Sequence, residues 1–235
     1  MNFIQDLNKH EVEKIEKFRK HPVLANIVGL SNIDFEKLLL QRRFLASEFT
    51  PSCEKVLVGI ENEDAKKIIR WLIREEYPPN TATHREDIVS DLLKIGLEKS
   101  HILSSSPTET TMAVISNFKK LLEFENKYFD IKGVVALRHF MEVLPPEEYE
   151  IFLKEIERRY GIKPGNSVFY QPHLEHDKKK KSIAECGETH SDKFNPIFQK
   201  SIDSEQKLHI AKWAMNEAQR IKTEFYNQFL VQLNF

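Results

Sequence analysis

Apolar side chains recur every three or four residues along residues 204–234, and this repeat restricts the fold more than any other feature of the chain. The repeat consists of Leu208, Ala211, Met215, Ala218, Ile221, Phe225 and Phe229. This spacing gives an α-helix one apolar face, and it does not match the two-residue repeat of a β-strand. Glycine is also scarce, with 7 in 235 residues. We therefore expect an all-α protein.

The same spacing predicts eight further helices. They cover residues 8–20, 32–59, 63–77, 83–95, 108–125, 131–144, 147–160 and 168–185. A kink is expected at Thr50-Pro51, inside the second of these helices. The serine-rich residues 101–107 are expected to form a loop, and the polar residues 187–196 a lid or linker. No shift in composition indicates a second domain, so we expect residues 1–235 to form a single domain.

The charge balance of the chain argues against several kinds of partner. With 35 basic and 36 acidic residues, the formal net charge is −1, so neither nucleic acid nor an anionic membrane is indicated as a partner. No run of about 18 apolar residues occurs, and the N-terminus is charged almost from its start, which predicts a cytoplasmic protein. Cys53 and Cys186 are too few for a disulfide framework, and no glycine-rich phosphate loop is present.

Residues 168–185 carry the pattern that is hardest to explain by packing alone. In a helix, His173 and Asp177 would lie four residues apart on one face, with His176 beside them and Lys180 on the next turn. Further acid and imidazole groups that could turn inward are Glu75, Glu76, His84, His139 and Glu142. Carboxylates and imidazoles on facing helices can hold two iron or manganese ions. We therefore expect half of a two-metal site in this stretch.

Each candidate ligand also has a purely structural interpretation. His173 and Asp177 could form a buried hydrogen-bonded pair. His84 could be a polar residue in a first helical turn, and Glu142 a solvated carboxylate close to a helix end. His139 is explained equally well as a core histidine.

The helical phase of residues 63–77 predicts which of two neighbouring glutamates faces the core. Their apolar stripe, continued by one turn, reaches Glu76 rather than Glu75, although Pro78-Pro79 could shift that phase. The remaining histidines have no carboxylate at a useful spacing, so we expect them at the surface; they are His10, His21, His101, His190 and His209.

The order of these candidates resembles that of the haem-oxygenase-like di-iron oxidases, also called CADD-like proteins. That family shows an acidic pair, a histidine, a glutamate followed by proline, a helix ending in Tyr-Gly, and His-x3-Asp-x2-His. The corresponding residues here are Glu75-Glu76, His84 with Ile95-Gly96 after it, Glu142 with Pro145-Pro146, Tyr160-Gly161, and His173-x3-Asp177-x2-Lys180. The resemblance covers residues 62–185 and implies a single-domain haem-oxygenase-like helical bundle.

Lys180 is the main departure from the family pattern, because it stands where the family has its last histidine. A protonated lysine cannot bind a cation. Three explanations are open: His176 supplies the nitrogen, Lys180 is neutral beside the metal, or one ion has fewer protein ligands. Of these we favour His176. In its changed last ligand, the chain also resembles a nitrile-forming branch of the family, which converts a brominated tryptophan into an indole carbonitrile.

The resemblance implies a non-haem enzyme that binds two Fe(II) ions per chain and uses O2 to oxidise a small substrate. Amino acids and fatty acids are the expected substrate classes, and the reactions include N-oxygenation, desaturation and carbon–carbon cleavage. The carboxylate of an amino acid could pair with Lys180 or Arg138. Many members are dimers, so a homodimer is expected.

Two other kinds of protein remain open at this stage. One is a metal-free helical protein that binds a partner. The other is an enzyme of the same fold without the metal set, such as a thiaminase-like hydrolase, which would need a placed cysteine, or a quinone-cofactor oxidase.

Overall fold

The computed structural model describes residues 2–124, 128–178 and 181–233, which form helices joined by short connections. The α-helices are α1 (Phe3–Arg19), α2 (Pro22–Ala25), α3 (Asn32–Ser47), α4 (Phe49–Gly59), α5 (Glu63–Glu75), α6 (His84–Lys94), α7 (Lys99–Ser104), α8 (Glu109–Leu121), α9 (Phe129–Arg138), α10 (Pro145–Tyr160), α11 (Tyr170–Asp177), α12 (His190–Lys193), α13 (Asn195–Ser201) and α14 (Glu205–Asn227). Within these described ranges no strand occurs, and the prediction of an all-α protein is confirmed. No helix of the described chain is both long and apolar enough to cross a membrane.

Helix α14 forms the centre of the core and packs against α1, α8 and α9. Its apolar stripe is buried as the spacing predicts, from Leu208 through Met215 to Phe225. Burying each such side chain contributes about 1.5–3 kcal/mol to folding. The helix ends at Asn227, before the predicted end at residue 234, and Phe229 is buried just beyond it.

Helices α9 and α10 are joined without a break by a π-helical turn, His139–Val143. Leu144 N donates to His139 O at 3.1 Å, which is the wider hydrogen bond of a π-turn. Pro145 and Pro146 lack the N–H groups that would continue regular α-helical bonding to the preceding turn. The predicted helix end near residue 144 is therefore a change of helical geometry, and Glu142 lies on this turn.

Two predicted helices and one predicted loop have different bounds in the structure. The predicted helix 32–59 is two helices, divided at Glu48, and Pro51 stands in the first turn of α4, where a missing N–H breaks no helical hydrogen bond. Part of the predicted loop 101–107 belongs to α7. The predicted helix 168–185 extends only over α11, because the chain leaves the helical conformation at Lys178 and buries Ile183 against the core.

Candidate metal centre

Glu76, His84 and His173 come together from three parts of the chain and form a cluster that we call the first trio. One potential ligand atom from each side chain lies within 4.8 Å of the other two. Glu76 Oε1 is 2.8 Å from His84 Nδ1, and the ring centroids of His84 and His173 are 4.5 Å apart. Two imidazoles and one carboxylate are a common ligand set for non-haem Fe(II).

Local sequence explains why two of these side chains reach the site. The apolar stripe of α5 is buried at Ala65, Ile69 and Leu72, and Glu76 follows at the end of the same face. Its side chain is 13% exposed, against 41% for Glu75. Thr83 and Glu86 form a capping box that makes His84 the first residue of α6.

Glu142, Asp177 and His190 form a second cluster, the second trio, whose potential ligand atoms also lie within 4.8 Å of one another. His190 Nδ1 is 2.8 Å from Asp177 Oδ1 and 3.5 Å from Glu142 Oε2. Glu142 belongs to the π-helical turn, Asp177 ends α11, and His190 begins α12. Two carboxylates and one imidazole therefore meet where a π-turn and two helix ends converge.

Both trios line one cavity, together with apolar side chains such as Phe49, Leu72 and Met141. The volume of this cavity open to the centres of water-sized molecules is about 40 Å³. Sites for organic cofactors usually measure roughly 300–1,000 Å³. The cavity therefore has room for metal ions and a few water molecules.

The unpaired carboxylate oxygen of Glu142 fits a bound cation. Glu142 Oε1 is buried and has no hydrogen-bond partner within the described residues, an arrangement that is costly unless a cation or a proton compensates it. Burial, and next the negative charge of Asp177, raise the pKa of Glu142. A metal ion between these carboxylates would remove both penalties, so the donors present fit metal ions.

A comparison with protein families matches residues 36–216 to the family described as iron-containing redox enzyme, which is haem-oxygenase-like. The chain belongs to this family. Its expected haem-oxygenase-like fold is thereby confirmed, and membership indicates an iron-binding oxidoreductase. Among curated proteins, none matches the chain.

The imidazoles of this iron-containing redox enzyme differ in their readiness to bind a cation. Burial lowers the pKa of His173, so its neutral, ligand-competent form is favoured. Burial also opposes the charged forms of His84 and His190, but the neighbouring carboxylates of Glu76 and Asp177 outweigh it and raise the pKa of each. Protons and a metal ion therefore compete for the ring nitrogens of His84 and His190.

Several residues predicted for the site lie outside both trios. Glu75 Oε2 lies 3.8 Å from His190 Nε2, but the Glu75 side chain is 41% exposed. His176 is exposed on α11, and His139 is fully buried on the π-turn. Lys180 lies outside the described residues. The structure thus brings five of the predicted side chains into the trios: Glu76, His84, Glu142, His173 and Asp177.

His190 is the residue that the sequence-based interpretation missed, and its expected place at the surface is wrong. Its side chain is only 12% exposed, and its ring lies nearly perpendicular to that of Trp71, with 4.9 Å between the centroids. The expected polar linker 187–196 contains α12, and Ser191 and Asp192 are fully buried. Thr189 is the one local signal, since it caps α12 and makes His190 the first helical residue.

Two further expectations about charged or polar residues are corrected by the structure. Arg138, a candidate partner for a substrate carboxylate, is buried and paired with Glu11. His21, expected at the surface, is buried, and its Nε2 lies 3.0 Å from Asn227 Oδ1. Neither residue lines the cavity between the trios.

Proposed function

We propose that this iron-containing redox enzyme is a non-haem di-iron oxidase or oxygenase that uses O2 to oxidise a small organic substrate. One observation carries the proposal: two separate three-donor clusters line a single cavity. Three protein donors per ion leave coordination positions open, as a catalytic metal requires. When bound, the iron ions supply the redox chemistry with O2, and the protein supplies position and shielding.

The side chains around the trios have separate tasks in this proposal. The apolar wall keeps bulk water from the cavity. Arg42 and Tyr149 also line it, and Arg42 Nη2 donates to the Tyr149 hydroxyl at 3.0 Å. Arg42 is held in turn by Glu148 at 2.6 Å. These two side chains give the apolar cavity a fixed polar edge that can orient the reacting group of a substrate.

The substrate is proposed to reach the metals from a neighbouring groove. An open groove of about 790 Å³ lies on the other side of Glu75 and His190, which line both the groove and the cavity. Trp71, with Lys193 Nζ 4.8 Å from the centre of its ring, lies on the groove wall. An aromatic surface beside a cation suits an amino acid or fatty acid, and a halogenated tryptophan giving a nitrile is the narrowest form of this proposal.

A hydrolase that depends on a cysteine is less well supported by the structure. Cys53 is buried, and burial raises its pKa well above the ordinary value, which disfavours the thiolate. Cys186 is exposed and lies on the groove rather than on the cavity. Neither thiol lines the cavity between the trios.

Iron stoichiometry tests the proposed site directly. After anaerobic loading with Fe(II) and removal of excess metal, we expect two ions per chain in the native protein. His173→Ala and Asp177→Ala should each lower the content to about one ion, because each variant removes one donor from a different trio. His209→Ala, at an exposed position of α14, is the matched control and should keep two.

The proposal fails if the native protein binds no iron, which would favour a metal-free binding protein, or if both alanine variants keep two ions with unchanged affinity.

The substrate class is tested separately. The iron-loaded protein is exposed to O2 in the presence of amino acids, halogenated tryptophans or fatty acids. We expect one class to accelerate O2 consumption and to yield an oxidised product by mass spectrometry. Equal, slow O2 consumption with every compound would count against a substrate oxidase.

A further inference from the structure

Arg138 connects three parts of the chain behind the second trio. It is the last residue of α9, and its side chain is 1% exposed. Its Nε donates to the backbone carbonyl of Ser191 at 2.7 Å. Its terminal nitrogens donate to both carboxylate oxygens of Glu11 on α1, with Nη2 at 3.3 Å from Oε2. The guanidinium carbon lies 5.4 Å from the centre of the Phe198 ring.

The carbonyl that Arg138 holds belongs to the residue directly after His190. Helix α12 has only four residues, which is too short to be stable by its own hydrogen bonds. External contacts must therefore fix the orientation of His190. Arg138 also lies four residues before Glu142 on one continuous helical path. One guanidinium thus links the backbone beside His190 to the segment that presents Glu142.

Glu11 makes this link rigid. Its carboxylate is fully buried, and two parallel hydrogen bonds fix the plane of a guanidinium more firmly than a single bond can. A lysine at position 138 would keep the positive charge but could not keep this two-pronged contact while also donating to Ser191.

We propose that Arg138, held by Glu11, is a positioning residue for the second metal ion: it fixes the turn that presents His190 against the segment that presents Glu142. The inference rests on the proposed di-iron function. It adds a specific asymmetry, because Arg138 holds the backbone of Ser191, directly after His190 of the second trio, whereas no hydrogen bond or ion pair joins it to the first trio within the described residues.

The test compares the affinities of the two ions in Arg138→Lys. Anaerobic Fe(II) titration against a competing chelator gives one dissociation constant per ion, and Mössbauer spectra of ⁵⁷Fe(II) report the environment of each ion independently of activity. We expect Arg138→Lys to bind the second ion about 10- to 100-fold more weakly, the usual effect of losing a residue that orients a ligand, with the first ion unchanged.

Arg159→Lys is the matched control. The side chain of Arg159 is likewise only 3% exposed, is paired with Glu155 at 2.9 Å and donates to the backbone carbonyl of Ile27 at 3.0 Å, but it does not line the cavity. We expect it to keep both affinities. Glu11→Gln preserves the shape of the side chain but removes its charge, so it should also weaken binding of the second ion. This variant decides the question if Arg138→Lys does not fold.

Three outcomes would overturn the inference: unchanged affinity for the second ion in the folded variants, an equal loss of affinity for both ions, or the same loss of affinity for the second ion in Arg159→Lys. Native protein that binds fewer than two ions would instead contradict the proposed function. The two failures are therefore distinguishable.

Discussion

Two histidines are candidates for the last nitrogen donor of the proposed metal site, and their surroundings distinguish them. His190 is 12% exposed and lies 2.8 Å from Asp177, whereas His176 is exposed and its ring centroid is 6.1 Å from that of His190. Helical spacing could bring His173 and Asp177 to the cavity, because both belong to α11. It could not bring His190, which follows Asp177 by thirteen residues in a stretch of sequence with no helical periodicity.

Replacing each of these histidines with alanine gives a prediction at the scale of single residues. We expect His190→Ala to lose the second ion, because only two carboxylates then remain in that trio, while His176→Ala keeps two ions. Metal content measured by elemental analysis after anaerobic loading distinguishes them. The reverse result, iron lost in His176→Ala and kept in His190→Ala, would mean that the chain rearranges on binding metal.

Helix α11 is shorter than its sequence predicts, and a side chain from another helix fixes its start. Asp91 on α6 accepts hydrogen bonds from Val168 N at 2.9 Å and Phe169 N at 3.0 Å, and it also accepts from the Ser167 hydroxyl. These bonds join the helix that begins with His84 to the helix that carries His173. Sequence periodicity indicated the helices themselves, but it contained no information on a carboxylate 76 to 78 residues away in the chain.

Asp91→Asn should therefore affect both stability and metal binding. Hydrogen bonds to a charged acceptor contribute about 1.5–3 kcal/mol each, so we expect a loss of at least that size in the free energy of unfolding measured in urea. Iron affinity should fall at both trios, because α11 supplies a donor to each. Asp34→Asn, at the more accessible start of α3, is the control; a similar loss there would contradict the special role of Asp91.

At the scale of the whole molecule, a buried group of charges ties three long helices together. Glu148 on α10 lies 2.6 Å from Arg42 Nε on α3 and 3.1 Å from Lys222 Nζ on α14, and all three side chains are at most 3% exposed. The apolar repeats of these helices were enough to predict an all-α fold. They could not predict this network, because helical spacing can place Arg42 and Lys222 on the same face as apolar neighbours but does not show which charged side chain of another helix each one meets.

Glu148→Gln tests the contribution of the network to the fold. Without the carboxylate, Arg42 is left with an uncompensated buried charge, which typically costs about 3–5 kcal/mol, and Lys222, whose pKa burial lowers to about 7, loses its ion-pair partner. Glu150→Gln, two residues along the same helix and paired with partly exposed lysines and Arg19, should cost about 1 kcal/mol or less. Urea denaturation of both variants measures the difference, and equal midpoints would show that the buried charges do not stabilise the bundle.

The placement of His190 on its own short turn affects how related genes are recognised in genome surveys. A search that demands a histidine three residues after the aspartate of the last motif would discard this chain as lacking a metal ligand. A search that accepts a histidine in the following turn, with an arginine four residues before the motif glutamate, would retain it. Chains discarded by the narrower search are therefore worth screening again for oxygen-dependent activity.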